Sequence, residues 1–238
     1  MLVGLVQVGT PAGKWSAAAA LEHIALMPDS WRRRDSLQAL LAAGIALPWA
    51  RALEVARVIA DDAARATALA ALAPHLPPHL LTDALAVARA IEDNIFGSRA
   101  KALAALAPHL PPHLLADALA VARAITYEWY RAEALAALAP HLPPHLLAEA
   151  LAAARAIEDG WQRAKALAAL APHLASYPTL DDQFAPTLRV LAQRRRKELL
   201  SDLRALLPWL AALAERQRQP AVCADLATAI IEVGRCWP

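Results

Sequence analysis

One phrase returns along this chain at an almost constant interval, and that recurrence limits the fold more than any other feature. From Arg99 the chain reads RAKALAALAPHLPPHLLADALAVARAITYEWY, and from Arg131 it reads RAEALAALAPHLPPHLLAEALAAARAIEDGWQ. The same phrase can be laid on Arg65 and Arg163 and, more loosely, on Arg33 and Arg196, with spacings of 32, 34, 32, 32 and 33 residues. A period of this length is the mark of stacked supersecondary units that cannot bury their apolar stripe alone.

Within a unit, Leu103, Leu106 and Leu110 stand at i, i+3 and i+7, one face of a helix. Pro111 and Pro112 interrupt the chain, and proline is tolerated at a helix start because its missing N–H needs no partner there. A second helix follows, lined on one side by Leu115, Leu119, Ala122 and Ile125. Each unit is therefore a helical hairpin. The apolar content of 58% with only 5% aromatic residues is mostly Ala and Leu, which are strong helix formers. The expected fold class is all-α: a right-handed α-solenoid of about six to seven stacked hairpins with a period of about 32 residues.

The near-identical units define a central segment, residues 65–174. Residues 1–64 read as degenerate N-terminal repeats, since running the register back from Arg33 reaches Met1, with Leu5 and Val8 on the positions of Leu103 and Leu106. Residues 175–238 read as a divergent repeat and capping helices, with Leu180, Phe184, Leu200, Leu203 and Leu207 as the apolar skeleton. The unit from Arg65 carries two extra residues, which fall in EDNIFGS before Arg99 and mark a loop.

The hairpins resemble HEAT repeats. Pro108 lies late in the first helix, and Asp117 and Arg123 stand six apart in the second; Pro74, Asp83, Arg89 and Pro140, Glu149, Arg155 repeat the arrangement. The resemblance implies that the proline bends the first helix and that Asp83, Arg89, Asp117, Arg123, Glu149 and Arg155 form a structural ladder between successive repeats. The tetratricopeptide pattern fits worse, because its Trp, Gly, Tyr and final Pro are out of register. The ALAALAPHLPP phrase and the VGRCWP tail are also similar to Ala/Leu-rich C-terminal repeat arms of bacterial STAND/NACHT-type signalling NTPases. That likeness implies a bacterial sensor or partner-binding arm, although no NTPase module is present in this sequence.

Net charge of +2, from 24 basic and 22 acidic residues, gives no global field for nucleic acid or an anionic membrane. Mean hydropathy is +0.32, yet Arg, Asp, His or Pro interrupts every apolar stretch before about 18 residues, so no transmembrane helix is expected. The opening MLVGLVQVGTPAGKW lacks the basic segment of a secretory signal. Cys223 and Cys236 have no CxxC spacing, and a reducing, cytoplasmic setting is expected.

Seven of the eight histidines fall in the repeats: His75, His109, His141 and His173 in one row, and His79, His113 and His145 in another. Zinc ligands lie about 2 Å from the metal, whereas packed helices stand about 8–10 Å apart. The rows therefore read as turn histidines, and no metal or other cofactor is expected. GTPAGKW at residues 9–15 echoes a phosphate loop but has Val8 where its first Gly belongs and Trp15 for its Ser or Thr. The arginines Arg57, Arg65, Arg89, Arg99, Arg123, Arg131, Arg155 and Arg163 are expected to pair with acids such as Asp83, Asp117, Glu149, Glu92 and Glu158. No converging carboxylates or nucleophile–base pair stands out, so an enzyme is not expected.

The units differ most in their connections, which carry Trp31, Phe96, Tyr127, Trp129, Tyr130 and Trp161. These rings either cover neighbouring hairpins or form an edge for a partner protein, aromatic side chains being enriched at binding hot spots. Two basic runs, Arg32, Arg33, Arg34 and Arg194, Arg195, Arg196, Lys197, are either solvated capping faces or contacts for a polyanion such as nucleic acid.

Overall fold

The computed structural model describes residues 16–193 and 195–216 of the chain. The first fifteen residues, Arg194 and the two cysteines lie outside the described residues, as do the phosphate-loop echo and Leu5 and Val8. Among the described residues the fold is all-α, with thirteen α-helices joined by turns and short 3-10 segments and no strand. By its internal contacts the chain divides into two compact units, residues 1–114 and 115–238.

In the first unit, α1 (Ala17–Ala25), α3 (Trp49–Arg57) and α5 (Leu81–Arg89) alternate with α2 (Ser30–Ala42), α4 (Asp62–Leu72) and α6 (Ser98–Leu106). Helix α4 packs between α2 and α6, while α1 packs on α3, so helices of like register form layers. The second unit contains α7 (Leu115–Arg123), α8 (Glu128–Leu138), α9 (Pro144–Arg155) and α10 (Gly160–Ala175). It continues with α11 (Phe184–Leu191), α12 (Arg196–Ala205) and α13 (Leu207–Arg216). Here α10 packs between α8 and α12, and α13 also lies against it.

The leucines read from the sequence build these layers. Leu69 and Leu72, Leu103 and Leu106, Leu135 and Leu138, and Leu167 and Leu170 are all fully buried. Each such side chain contributes roughly 1.5–3 kcal/mol relative to exposure. Beyond Gln193 the apolar skeleton shifts: Leu200, Leu203 and Leu207 are only half-buried, and Leu206, Trp209 and Leu210 take the core.

The proline phrase sets where each first helix stops. Ala73–His75, Ala107–His109 and Ala139–His141 tighten into 3-10 turns after their helices. Leu76, Leu110 and Leu142 then become extended, with ψ near 130°, because a residue before proline is driven out of the helical region. At Leu174 the next residue is Ala175, and α10 runs on through Pro172 to Ala175. The following proline, rather than the one inside APH, ends these helices.

A second recurring device joins consecutive hairpins. In α2, α4, α6, α8 and α10 the arginine near the helix head reaches back to the carbonyl that closes the preceding second helix. Arg65 Nη1 donates to the Ile59 carbonyl at 3.2 Å, Arg99 Nε to Ile91 at 2.9 Å, and Arg131 Nη1 to Ile125 at 3.0 Å. Arg33 donates to the Met27 and Val58 carbonyls, and Arg163 to Ile157 and Glu158. Helix ends leave carbonyls without intrahelical partners, and the guanidinium fork satisfies them. Three residues before the arginine, Asp62 and Glu128 pair with Arg65 and Arg131.

The same acids stitch one connection to the next. Asp62 accepts from the Glu92 amide at 3.3 Å, and Glu128 accepts from the amides of Glu158 and Asp159 at 2.8 Å. Ser30 holds the equivalent position and accepts from the Asp61 amide at 3.2 Å. Arginine and acid were thus expected to meet across the connections, but Glu92 and Glu158 take part through their backbone N–H groups. In the extended connection before Arg99, Phe96 occupies the acid position and a left-handed Gly97, φ 65°, starts α6.

At Arg163 the device is fully buried. Gly160 holds the acid position, and a Cβ there would stand 2.7 Å from Glu198 Cγ, so its absence admits that side chain from α12. Arg163 donates to Asp202 at 2.7 Å and Glu198 at 3.3 Å, with Arg163 and Asp202 both inaccessible to solvent. Removing one partner of a buried ion pair strands the other charge at a cost of roughly 3–5 kcal/mol. Asp202→Ala should lower the stability of the chain by about that amount in urea unfolding. Arg131→Met should cost about 1–3 kcal/mol, and Arg131→Lys should recover only part of it, since an ammonium cannot reproduce the fork.

Candidate partner-binding edge

The ring-bearing connections place their aromatic residues at a fixed register. Trp31, Trp129 and Trp161 are each the second residue of a first helix, two positions before the arginine. Trp31 and Phe96 belong to the first unit; Tyr127, Trp129, Tyr130 and Trp161 belong to the second.

In the second unit the rings are brought together. Trp129 at the head of α8 and Trp161 at the head of α10 lie with centroids 5.3 Å apart and planes tilted by 36°. Lys165, one turn beyond Trp161, places Nζ 5.5 Å above the Trp129 ring. Tyr127 and Tyr130 meet edge to face at 6.5 Å. Register explains the tryptophan pair, because the helices carrying them are packed on each other and held by the Glu128 bonds to the Glu158 and Asp159 amides. Although paired, Trp129 remains 50% and Trp161 61% exposed. Covering a neighbouring hairpin therefore leaves half or more of each side chain's surface open.

In the first unit, Trp31 is 43% exposed and carries the Arg34 guanidinium 4.4 Å above its ring. Phe96 and its neighbour Ile95 are both 62% exposed at the tip of the extended connection. Their positions follow from Asn94, whose side-chain oxygen accepts from the Phe96 amide and whose carbonyl accepts from Gly97.

The basic runs fare differently from each other. Arg32 is exposed, but Arg33 is committed to two carbonyls and Arg34 to Asp35 and Trp31. Arg195, Arg196 and Lys197 are exposed at the head of α12. Of the expected ladder, Arg123 pairs with Glu149, linking α7 to α9. Arg155 instead donates to the Thr187 hydroxyl at 3.2 Å, and burial pulls its guanidinium below the usual value. Arg89 and Asp83 are exposed on α5, and Asp117 is exposed on α7.

Among the described residues no group of three or more His, Cys, Asp or Glu side chains is placed to hold a metal ion. One histidine of the first row is instead a packing element, His75 stacking on Trp49 with centroids 5.5 Å apart and planes within 5°. Sequence offers only one cue to this partnership, that Trp49 stands where Leu81, Leu115 and Leu147 recur, and none to Lys165 over Trp129, since Lys165 repeats Lys101. No described helix is long and apolar enough to cross a membrane.

His173, in the last turn of α10, has its pKa lowered from the usual 6.5 by burial first and by the nearby His141 second. A depressed histidine pKa means the unfolded chain takes up the proton more readily. Stability is then complete above about 6.5 and falls as pH drops through the window below it. Urea midpoints should therefore decline from pH 7.5 towards acid, and His173→Gln should flatten that part of the profile.

Comparisons with protein-family models, with curated proteins and with solved structures give no match to this chain.

Proposed function

We propose that the chain is a HEAT-like α-solenoid of about six to seven hairpins, acting without catalysis as a scaffold or sensor arm that binds a protein partner. The layered packing of like-register helices within each unit supports the architecture, as does the arginine device that repeats at five connections. The binding edge is the aromatic cluster at the heads of α8 and α10. The observation that carries this reading is the Trp129 and Trp161 pair, which is fixed by packed helices yet half or more exposed. A rigid aromatic surface of this kind buries area on binding at little conformational cost. Lys165, beside Trp129, supplies a cation at its border.

A nucleic-acid partner is the alternative reading, resting on the exposed Arg195, Arg196 and Lys197. Arg33 and Arg34 add little to it, because their guanidinium groups are already engaged.

Capture by the immobilised chain should distinguish these. A protein retained by the wild type should be lost with a Trp129→Ala/Trp161→Ala variant and kept with an Arg195→Ala/Lys197→Ala variant. Undiminished capture by the tryptophan variant would remove the edge. Salt-sensitive retention of DNA or RNA, abolished by the basic-run variant, would favour the nucleic-acid reading.

A further inference from the structure

The two ends of each first helix carry different surfaces. At the head lie the connections, and except for Val190 the large apolar side chains exposed among the described residues all stand there. At the tail lies the turn inside the hairpin, where Pro78 and His79, and again Pro112 and His113, are exposed. The backbone of these turns is extended before it re-enters a helix. Leu76 and Pro77 have φ −71°, ψ 129° and φ −67°, ψ 152°; Leu142 and Pro143 have φ −73°, ψ 130° and φ −69°, ψ 161°. Both pairs lie in the polyproline II region, and Leu110 before Pro111 shares it.

Short preformed polyproline segments dock on exposed aromatic rings, with little ordering cost on either side. The Trp129 and Trp161 pair supplies such rings, fixed and half or more exposed. Charge agrees with shape. Glu158 and Asp159, just before Trp161, are exposed. Residues 73–82, 107–116 and 139–148 contain no Asp, Glu, Lys or Arg, so the turns bring no carboxylate to repel these acids. Their histidines offer ring N–H donors instead. The surfaces are too far apart to meet within one hairpin, because α8 places 11 residues, about 16 Å of helix, between its head and its turn.

The chain thus displays both halves of one contact. Resting on the reading of the tryptophan pair as a binding edge, we propose that its partner is a second copy of this chain. The proline turns of one copy, residues 73–82, 107–116 and 139–148, seat on Trp129 and Trp161 of the next. Because one patch meets a different patch, the contact is heterologous and leaves an open surface on each copy. Assembly then continues with concentration instead of stopping at a dimer.

Sedimentation velocity on the full chain should show a mean mass that rises above that of one chain with concentration, with an apparent Kd of about 0.1–1 mM. Trp129→Ala/Trp161→Ala should remain monomeric. So should His79→Glu/His113→Glu/His145→Glu, whose new carboxylates oppose Glu158 and Asp159. Both variants should keep the helical circular dichroism of the wild type. Mixed, they should form a dimer that grows no further, since each lends the surface the other lacks. A wild type that stays monomeric, either variant assembling as the wild type does, or a mixture that stays monomeric would overturn the proposal. A monomeric wild type that still captures a different protein through its tryptophans would overturn self-assembly alone and leave the aromatic edge standing.

Discussion

The carbonyl groups at the end of each second helix must find donors, and the arginine that opens the next hairpin supplies them. This requirement organises the chain more firmly than its apolar content does. Leucine and alanine faces can slide by a turn at modest cost, since one apolar residue replaces another. A guanidinium fork aimed at a particular carbonyl, with an acid three residues earlier, cannot. The bonds from Arg33, Arg65, Arg99, Arg131 and Arg163 therefore fix how each connection folds. The serine or acid at the head of the helix carries that order to the following connection.

Much of this was legible beforehand. The period, the all-α class, and the burial of Leu103, Leu106, Leu115 and Leu119 follow from spacing alone, because helical periodicity translates directly into a buried face. The double proline announced the turn inside each hairpin. What spacing could not give was the choice of partner. An arginine among acids and carbonyls has many options, and only backbone geometry decides that Arg131 meets Ile125 and Glu128 together. The C-terminal register was also hidden, because Asp202 stands in a core position that reads as surface until Arg163 is seen beneath it.

The candidate edge divides in the same way. That the aromatic residues lie in variable connections was readable, and so was the shared register of Trp31, Trp129 and Trp161. That Trp129 and Trp161 would pair, with Lys165 over one ring, required the packing of α8 on α10. Identical positions build the scaffold, and differences placed upon it have rigid support.

The serine and acid stitches have one further consequence. They span 30 or 31 residues, essentially one period. Excising or inserting one whole unit therefore rejoins equivalent donors to equivalent acceptors, whereas a change of a few residues breaks them.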